Sequence, residues 1–217
     1  MDVGIIGGTG PAGRGLALRL AAAGMSVAIG SRDTARAAGA VDELTGTWSA
    51  RIAGGLHGVA NEEAAAARIV VLATPWDGAV QAASGLAGPL AGKVLVSMAN
   101  ALVREGREML ALIPPRGSVA AAVQAALPRT RVAAAFHHLP ARDMGDLDSG
   151  LIADVLVCAD DPEATAETMS LVERIEGLRP LDAGSLNQAA AIEAFTAVCV
   201  TLNMRHHAHS TLKLAGI

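Results

Sequence analysis

Gly8, Thr9, Gly10, Pro11, Ala12 and Gly13 follow the apolar run Val3–Ile6 and precede an Ala/Leu-rich stretch, and they carry the G-x-G-x-x-G spacing of a phosphate cradle. Chemically, such a segment holds anions without side-chain charge, because a helix beginning in the glycine turn points its free N–H groups and the positive end of its dipole at the phosphates. Gly8 is expected to make the tight turn, Gly10 to let the backbone approach a pyrophosphate, and Gly13 to let the helix pack on the strand. Pro11 suits the first helical turn, where its fixed φ fits and no hydrogen bond is lost.

About twenty residues further on, where an NAD-binding unit places an Asp or Glu on the ribose 2′-hydroxyl, the chain reads Ser31-Arg32-Asp33. A carboxylate would repel a 2′-phosphate, whereas a hydroxyl and a guanidinium would hold it by charge-assisted hydrogen bonds. The pattern points to NADP, with Arg36 a second cation if a helix starts here. The alternative keeps Asp33 as the ribose ligand and leaves Arg32 and Arg36 as solvated charges.

Some catalytic groups are missing. The chain has no tyrosine, which excludes the Tyr-Lys proton relay of short-chain reductases. Its lysines are Lys93 and Lys213, neither in the mid-chain helix where β-hydroxyacid dehydrogenases keep theirs. His137 and His138 could hydrogen-bond a ligand ring or merely satisfy backbone at a strand end. His206, His207 and His209 do not share one helix face at the i, i+4 spacing of a paired metal site, so no metal is expected. Trp48 and Trp76 read as packing residues.

These groups must be positioned by a sheet. Apolar runs alternate with helical stretches, the pattern of parallel strands joined by crossover helices. Strands are expected at residues 3–6, 25–30, 68–73, 93–97, 131–135, 155–159 and 178–181. Helices are expected at 15–23, 61–67, 77–86, 119–127 and 163–175, the last started by Asp160-Asp161-Pro162, with a long helical tail from Ser185. Ligands bind at the carboxyl ends of such strands, which gathers Thr9, Ser31, Thr74, Pro75, residues 98–100 and residues 137–141 around one crevice.

At 217 residues the chain can bury a substantial core, and its net charge of −4 with 2% aromatic residues gives no basis for nucleic-acid binding. No apolar run approaches the roughly 20 residues of a membrane helix. No signal peptide is expected, and Cys158 and Cys199 read as buried free thiols in a reducing cytoplasm.

The stretches GGTGPAGRGLALRL, GSR at 30–32, ATPWD at 73–77, His137-x-x-Pro140-Ala141, VCADD at 157–161 and GLRPLDAGSL at 177–186 together resemble the F420-dependent NADP oxidoreductases. That resemblance runs nearly end to end. It implies a Rossmann-type, doubly wound, mostly parallel α/β sheet, with an NADP-binding domain at 1–183 and a small C-terminal helical part at 184–217. It also implies a homodimer, and hydride transfer between NADP(H) and the deazaflavin coenzyme F420. By position, Thr9, Gly10, Pro11 and Ala12 would hold the pyrophosphate, Ser31 and Arg32 the 2′-phosphate, and Arg36 stands where relatives often have lysine. Thr74 and Pro75 would line the path from adenosine to nicotinamide, Asn100 would lie near the nicotinamide ribose, and the Ala141 backbone would meet the carboxamide. The deazaflavin would stack against His137, Leu139 and Leu212. Residues 98–102 and 205–209 depart from the family pattern. Rival readings are an NADP-dependent reductase of a small imine or keto substrate, related to pyrroline-carboxylate reductases, and a non-catalytic NADP sensor.

Overall fold

The computed structural model describes residues 1–217. Along the chain come β1 (Val3–Ile6), α1 (Pro11–Ala22), β2 (Ser26–Ser31), α2 (Thr34–Trp48), β3 (Gly55–Ala60), α3 (Asn61–Ala64), β4 (Ile69–Leu72), α4 (Trp76–Ser84), α5 (Ala87–Leu90) and β5 (Val94–Ser97). There follow β6 (Leu102–Glu105), β7 (Glu108–Ala111), α6 (Val119–Ala126), β8 (Arg131–Ala134), α7 (Ala141–Met144), β9 (Ala153–Ala159), α8 (Pro162–Glu173), β10 (Leu178–Asp182) and α9 (Ala189–His206).

Eight strands form one sheet in the order β10-β9-β8-β5-β4-β1-β2-β3. The apolar runs of β1, β4 and β5 are buried at every residue, because helices cover both faces of the sheet. Side chains alternate between two cores. Ile5, Val71 and Val96 pack with Leu16 and Leu20 of α1 and Leu171 of α8. Ile6, Val70 and Leu95 pack on the opposite face with Ala79 of α4 and Val119 of α6.

From β1 the chain builds outward through β2 and β3, then crosses back to lay β4 on the other side of β1, with Ile6 opposite Leu72. That reversal leaves a crevice at the carboxyl ends of β1 and β4. Strand β8 runs parallel to β5, but β9 returns antiparallel to β8, with Ala134 opposite Cys158. The link between them carries only the four-residue α7, which packs on α1 instead of crossing the sheet.

Several elements lie outside the sequence expectation. Strand β3 extends the sheet at its edge, β6 and β7 form a separate antiparallel hairpin, α2, α5 and α7 are further helices, and α1 begins at Pro11 instead of Gly15. The tail is helical as expected. Leu186, Ala189 and Ile192 join the second core, α9 packs on β7, and residues 207–217 fold back without regular structure. No helix is long and apolar enough to cross a membrane.

Candidate functional site

Strand β1 ends where the chain must turn sharply into α1. Gly7 makes that turn at φ +67, and a Cβ there would lie 2.6 Å from the Thr74 side chain. The tight-turn role expected of Gly8 therefore belongs to Gly7. Gly13 does what its spacing implies, since a Cβ on it would meet the Gly8 Cα at 2.8 Å. Gly10 caps α1 in an extended conformation with Pro11 behind it, and a Cβ on Gly10 would meet no protein atom within 4 Å. The first turn of α1 thus presents bare backbone to open space.

That space is a cavity of about 1060 Å³, at the upper end of the roughly 300–1,000 Å³ of small-molecule sites. Thr9, Gly10, Pro11, Ala12, Gly13, Ser31, Arg32, Arg36, Thr74, Pro75 and Asn100 all line it. Gly7 and Asn61 line it as well. Asn61 was not anticipated; its Oδ1 accepts from the Gly7 N–H at 3.1 Å and braces the turn. No motif flags an Asn at the end of an edge strand. Trp76, expected to pack, also lines the cavity and is 36% exposed.

At the β2 end the Ser31 hydroxyl is buried and accepts from the Asp33 N–H at 3.1 Å, which leaves its own proton free to donate. Arg32 and Arg36 are exposed, and neither has a carboxylate within 4.0 Å. Asp33 caps α2, its Oδ1 accepting from the N–H groups of Ala35 at 2.9 Å and Arg36 at 3.3 Å. The carboxylate has a structural job, and the cations beside it are unpaired.

At the other end, Thr74 Oγ1 and Asn100 Oδ1 are buried polar atoms with no protein partner. Such atoms are costly unless a ligand or water satisfies them. Asn100 donates from Nδ2 to the His137 carbonyl at 3.1 Å, so it ties the segment after β8 to the cavity wall. That segment starts with Phe136 in the left-handed region at φ +65, an uncommon conformation for a bulky residue and one that clusters at functional sites.

His137 and His138 are both buried. His137 Nδ1 faces the Ala135 carbonyl at 3.1 Å and His138 Nε2 the Asp154 carbonyl at 2.7 Å, so these nitrogens carry the protons. Burial and the neighbouring His138 push His137 down to about 3, and burial also lowers His138. Both rings are neutral at physiological pH, each with an unpartnered acceptor nitrogen.

Gly8, His137, Leu139 and Leu212 do not line the large cavity, so the single crevice expected from the strand ends is incomplete at β8. Leu139 is half-buried against the first core, and the Leu212 carbonyl accepts from the Asp154 N–H at 2.7 Å. Ala141 lines a second pocket of about 290 Å³, which shares Thr9 and Pro11 with the large one. His209 Nδ1 lies 2.7 Å from the Asp143 carboxylate. Asp161 caps α8 as its sequence suggests, with Pro162 next to it.

A doubly wound sheet with a glycine turn under a helix N-terminus, unpaired cations after β2 and a cavity across the sheet reversal defines a dinucleotide-binding protein. The fit extends to side chains, since two of the residues lining that space, Thr74 and Asn100, each hold a buried polar atom with no protein partner. Comparison with known proteins narrows the class. Residues 2–101 match the family described as NADP oxidoreductase, coenzyme F420-dependent. The F420-dependent NADP reductase of Methanocaldococcus jannaschii is 34% identical, over 97% of this chain and 96% of its own. That of Methanothermobacter marburgensis is 32% identical, over 100% of this chain and 97% of its own. A crystal structure from Arthrobacter sp. FB24, provisionally assigned as an F420-dependent NADP-reductase, superposes with a TM-score of 0.79 at 26% identity, covering 99% of each chain. The chain belongs to the F420-dependent NADP oxidoreductase family.

Proposed function

We propose that this protein transfers hydride between NADP(H) and coenzyme F420. The observation that carries the reading is the end-to-end similarity to the reductase of Methanocaldococcus jannaschii, supported by a cavity whose polar groups suit NADP. Thr9, Gly10, Pro11 and Ala12, with Gly8 and Gly13 shaping the turn, hold the pyrophosphate on the N-terminus of α1. Ser31 donates to the 2′-phosphate, and Arg32 and Arg36 neutralise it. Thr74 and Pro75 line the path toward Asn100 and the nicotinamide ribose. The Ala141 backbone meets the nicotinamide carboxamide, and His137 and Leu139 of the same segment, with Leu212 from the tail, form the wall for the deazaflavin.

When both are bound, the reduced nicotinamide or the reduced deazaflavin supplies the hydride and the other accepts it. The protein then needs no acid or base at the reacting carbons, which agrees with the absence of tyrosine and the neutral, buried histidines. Its residues supply proximity, orientation and exclusion of water, effects worth several kcal/mol or more in well-oriented reactions (~7–11 at the limit).

Two finer assignments belong to the same reading. Residues 1–183 are the dinucleotide domain and 184–217 the helical part that completes the second site, in a cytoplasmic protein with free thiols at Cys158 and Cys199. The chain works as a homodimer, for which Phe195, Val198 and Leu202 offer an exposed apolar stripe on one face of α9. Val198→Glu should shift the sedimentation of a dimer toward monomer.

Mixing purified protein with NADPH and oxidised F420 tests the activity. The visible absorbance of the deazaflavin should fall. No fall, with NADPH oxidised by a cyclic imine instead, favours an imine reductase; tight NADPH binding without turnover favours a sensor.

A further inference from the structure

The backbone after β8 turns through Phe136, makes the single turn of α7, and runs irregularly to β9. Loop backbone of this kind leaves carbonyls without strand or helix partners. Here turn N–H groups reach three of them, Asp146 to Asp143 at 3.3 Å, Ser149 to Asp146 at 3.2 Å and Leu151 to Ser149 at 2.9 Å, and a side chain of α1 supplies the further donors. Arg19 donates from Nη2 to the carbonyls of Asp143 at 2.6 Å, Asp146, and Ser149 at 3.0 Å, and from Nε to that of Met144 at 3.3 Å. One guanidinium therefore fixes four carbonyls within seven residues.

The same helix is cut away to let the loop approach. A Cβ on Gly15 would lie 2.6 Å from the Met144 Cβ, so α7 seats directly on α1 one turn before Arg19. Arg51 assists from beyond α2, donating to the Leu147 carbonyl at 3.2 Å and pairing with Asp148 at 3.0 Å. Helix α1 is also the helix whose first turn forms the floor of the dinucleotide cavity. A rigid link thus runs from the phosphate cradle, along α1, through Arg19, to the segment behind His137 and Ala141.

We infer that Arg19 is a positioning residue: by gathering the carbonyls of Asp143, Met144, Asp146 and Ser149 it holds the His137–Ala141 wall in register with the phosphate helix, so that the two coenzymes meet at a fixed separation. The inference rests on the proposed hydride transfer, because the wall matters to catalysis only if the second coenzyme lies against it. Arginine is suited to the task. Its planar fork reaches several acceptors at once and stays charged when half-buried, whereas a lysine offers a point charge on a flexible stem.

The test compares Arg19→Met and Arg19→Lys with wild type. Because misplacement of a reacting group by about 1 Å can cost 10²-fold, Arg19→Met should raise the KM for F420 or lower kcat by roughly 10- to 100-fold. The Kd for NADPH, read by fluorescence, should stay within about threefold, and Arg19→Lys should fall between the two. Equal losses for both coenzymes, or no loss in a folded variant, overturn the inference. Hydrogen exchange keeps it separable from the proposed function and readable if Arg19→Met folds poorly. In Arg19→Lys the amides of 141–149 should exchange faster while those of 9–13 do not, and unchanged exchange there overturns the inference even if wild type reduces F420. Failure of wild type to reduce F420 refutes the function alone.

Discussion

Glu193 is a carboxylate on α9 with 4% exposure, and its two oxygens accept from the first N–H groups of α6, Val119 at 2.8 Å and Ala120 at 3.1 Å. Ser118 caps the same end through Ala121 at 3.0 Å. Two effects compete at this carboxylate. The amides and the helix dipole favour the charged form, by about 0.3–1 kcal/mol for the dipole and up to ~2 in partly buried geometry. Burial disfavours it, and burial wins, raising the group to about 7 from an ordinary 4.5.

The stability consequence has a definite sign. Between pH 4.5 and 7 the folded protein binds more protons at Glu193 than the unfolded chain, so stability falls as pH rises through that window and levels off above it. At 1.36 kcal/mol for each unit of pKa, the fall amounts to about 3 kcal/mol. Glu193→Gln removes the charge but turns one of the two acceptors into an NH2 donor, which costs about 1–3 kcal/mol at every pH; on top of that constant, the difference between the two proteins should move in the variant's favour by about 3 kcal/mol from pH 4.5 to 8. Urea unfolding of both proteins at several pH values between 4.5 and 8.5 measures the difference. A gap that does not change with pH, or one in which wild type gains as pH rises, would refute the reasoning, because it would mean that the α6 amides outweigh burial. Since α6 packs on α4, whose first turn lines the cavity, the same titration should leave a weaker trace in NADPH affinity.

Arg32→Ala should weaken NADP binding by roughly 10- to 100-fold, the value of a charge-assisted contact of about 1.5–3 kcal/mol, and leave NAD binding nearly unchanged; equal losses in parallel titrations would return Asp33 to the ribose. Gly10→Ala, whose Cβ enters open space, should fold within about 0.5 kcal/mol of wild type yet bind NADPH poorly. Gly13→Ala forces a contact with the Gly8 Cα and should lower stability by about 1–3 kcal/mol; denaturation and NADPH titration of the pair should separate the two effects. Asp154 is fully buried and accepts from Arg179, Lys213 and the Leu214 N–H, contacts that hold its carboxyl well below the usual range. Its stabilising contribution is present above the ordinary carboxylate pKa and is lost only in strong acid. Asp154→Asn at neutral pH should loosen residues 210–217 and speed tryptic cleavage after Lys213, and an unchanged cleavage rate would show that the backbone bonds alone hold the tail.

The parts of this molecule legible in the sequence are those whose cause is local. Strands β1, β4 and β5 stand out because both faces must be apolar, and the cradle stands out because a helix start, a bare backbone and a close helix–strand contact each demand their residue within six positions. Even there, spacing could not say whether Gly7 or Gly8 takes the positive φ. That depends on where β1 stops pairing and on the Thr74 side chain packed against the turn, a residue 67 positions away in sequence. Strand β3, with its mixed burial, and the hairpin of β6 and β7, largely exposed and charged, carry no apolar run to announce them. The reversal of β9 is set by the connection that precedes it, and that connection is held by Arg19 and Arg51, which apart from the Arg51–Asp148 pair bind backbone carbonyls that no side-chain pattern records. The division follows the chemistry of the site. The half that binds phosphate uses backbone at short range and can be read from spacing. The half proposed to meet the second coenzyme is assembled from β8, α7 and the tail by long-range bonds, Asn100 to His137 and Asp154 to Leu212 among them, so its residues come together only once the sheet has formed.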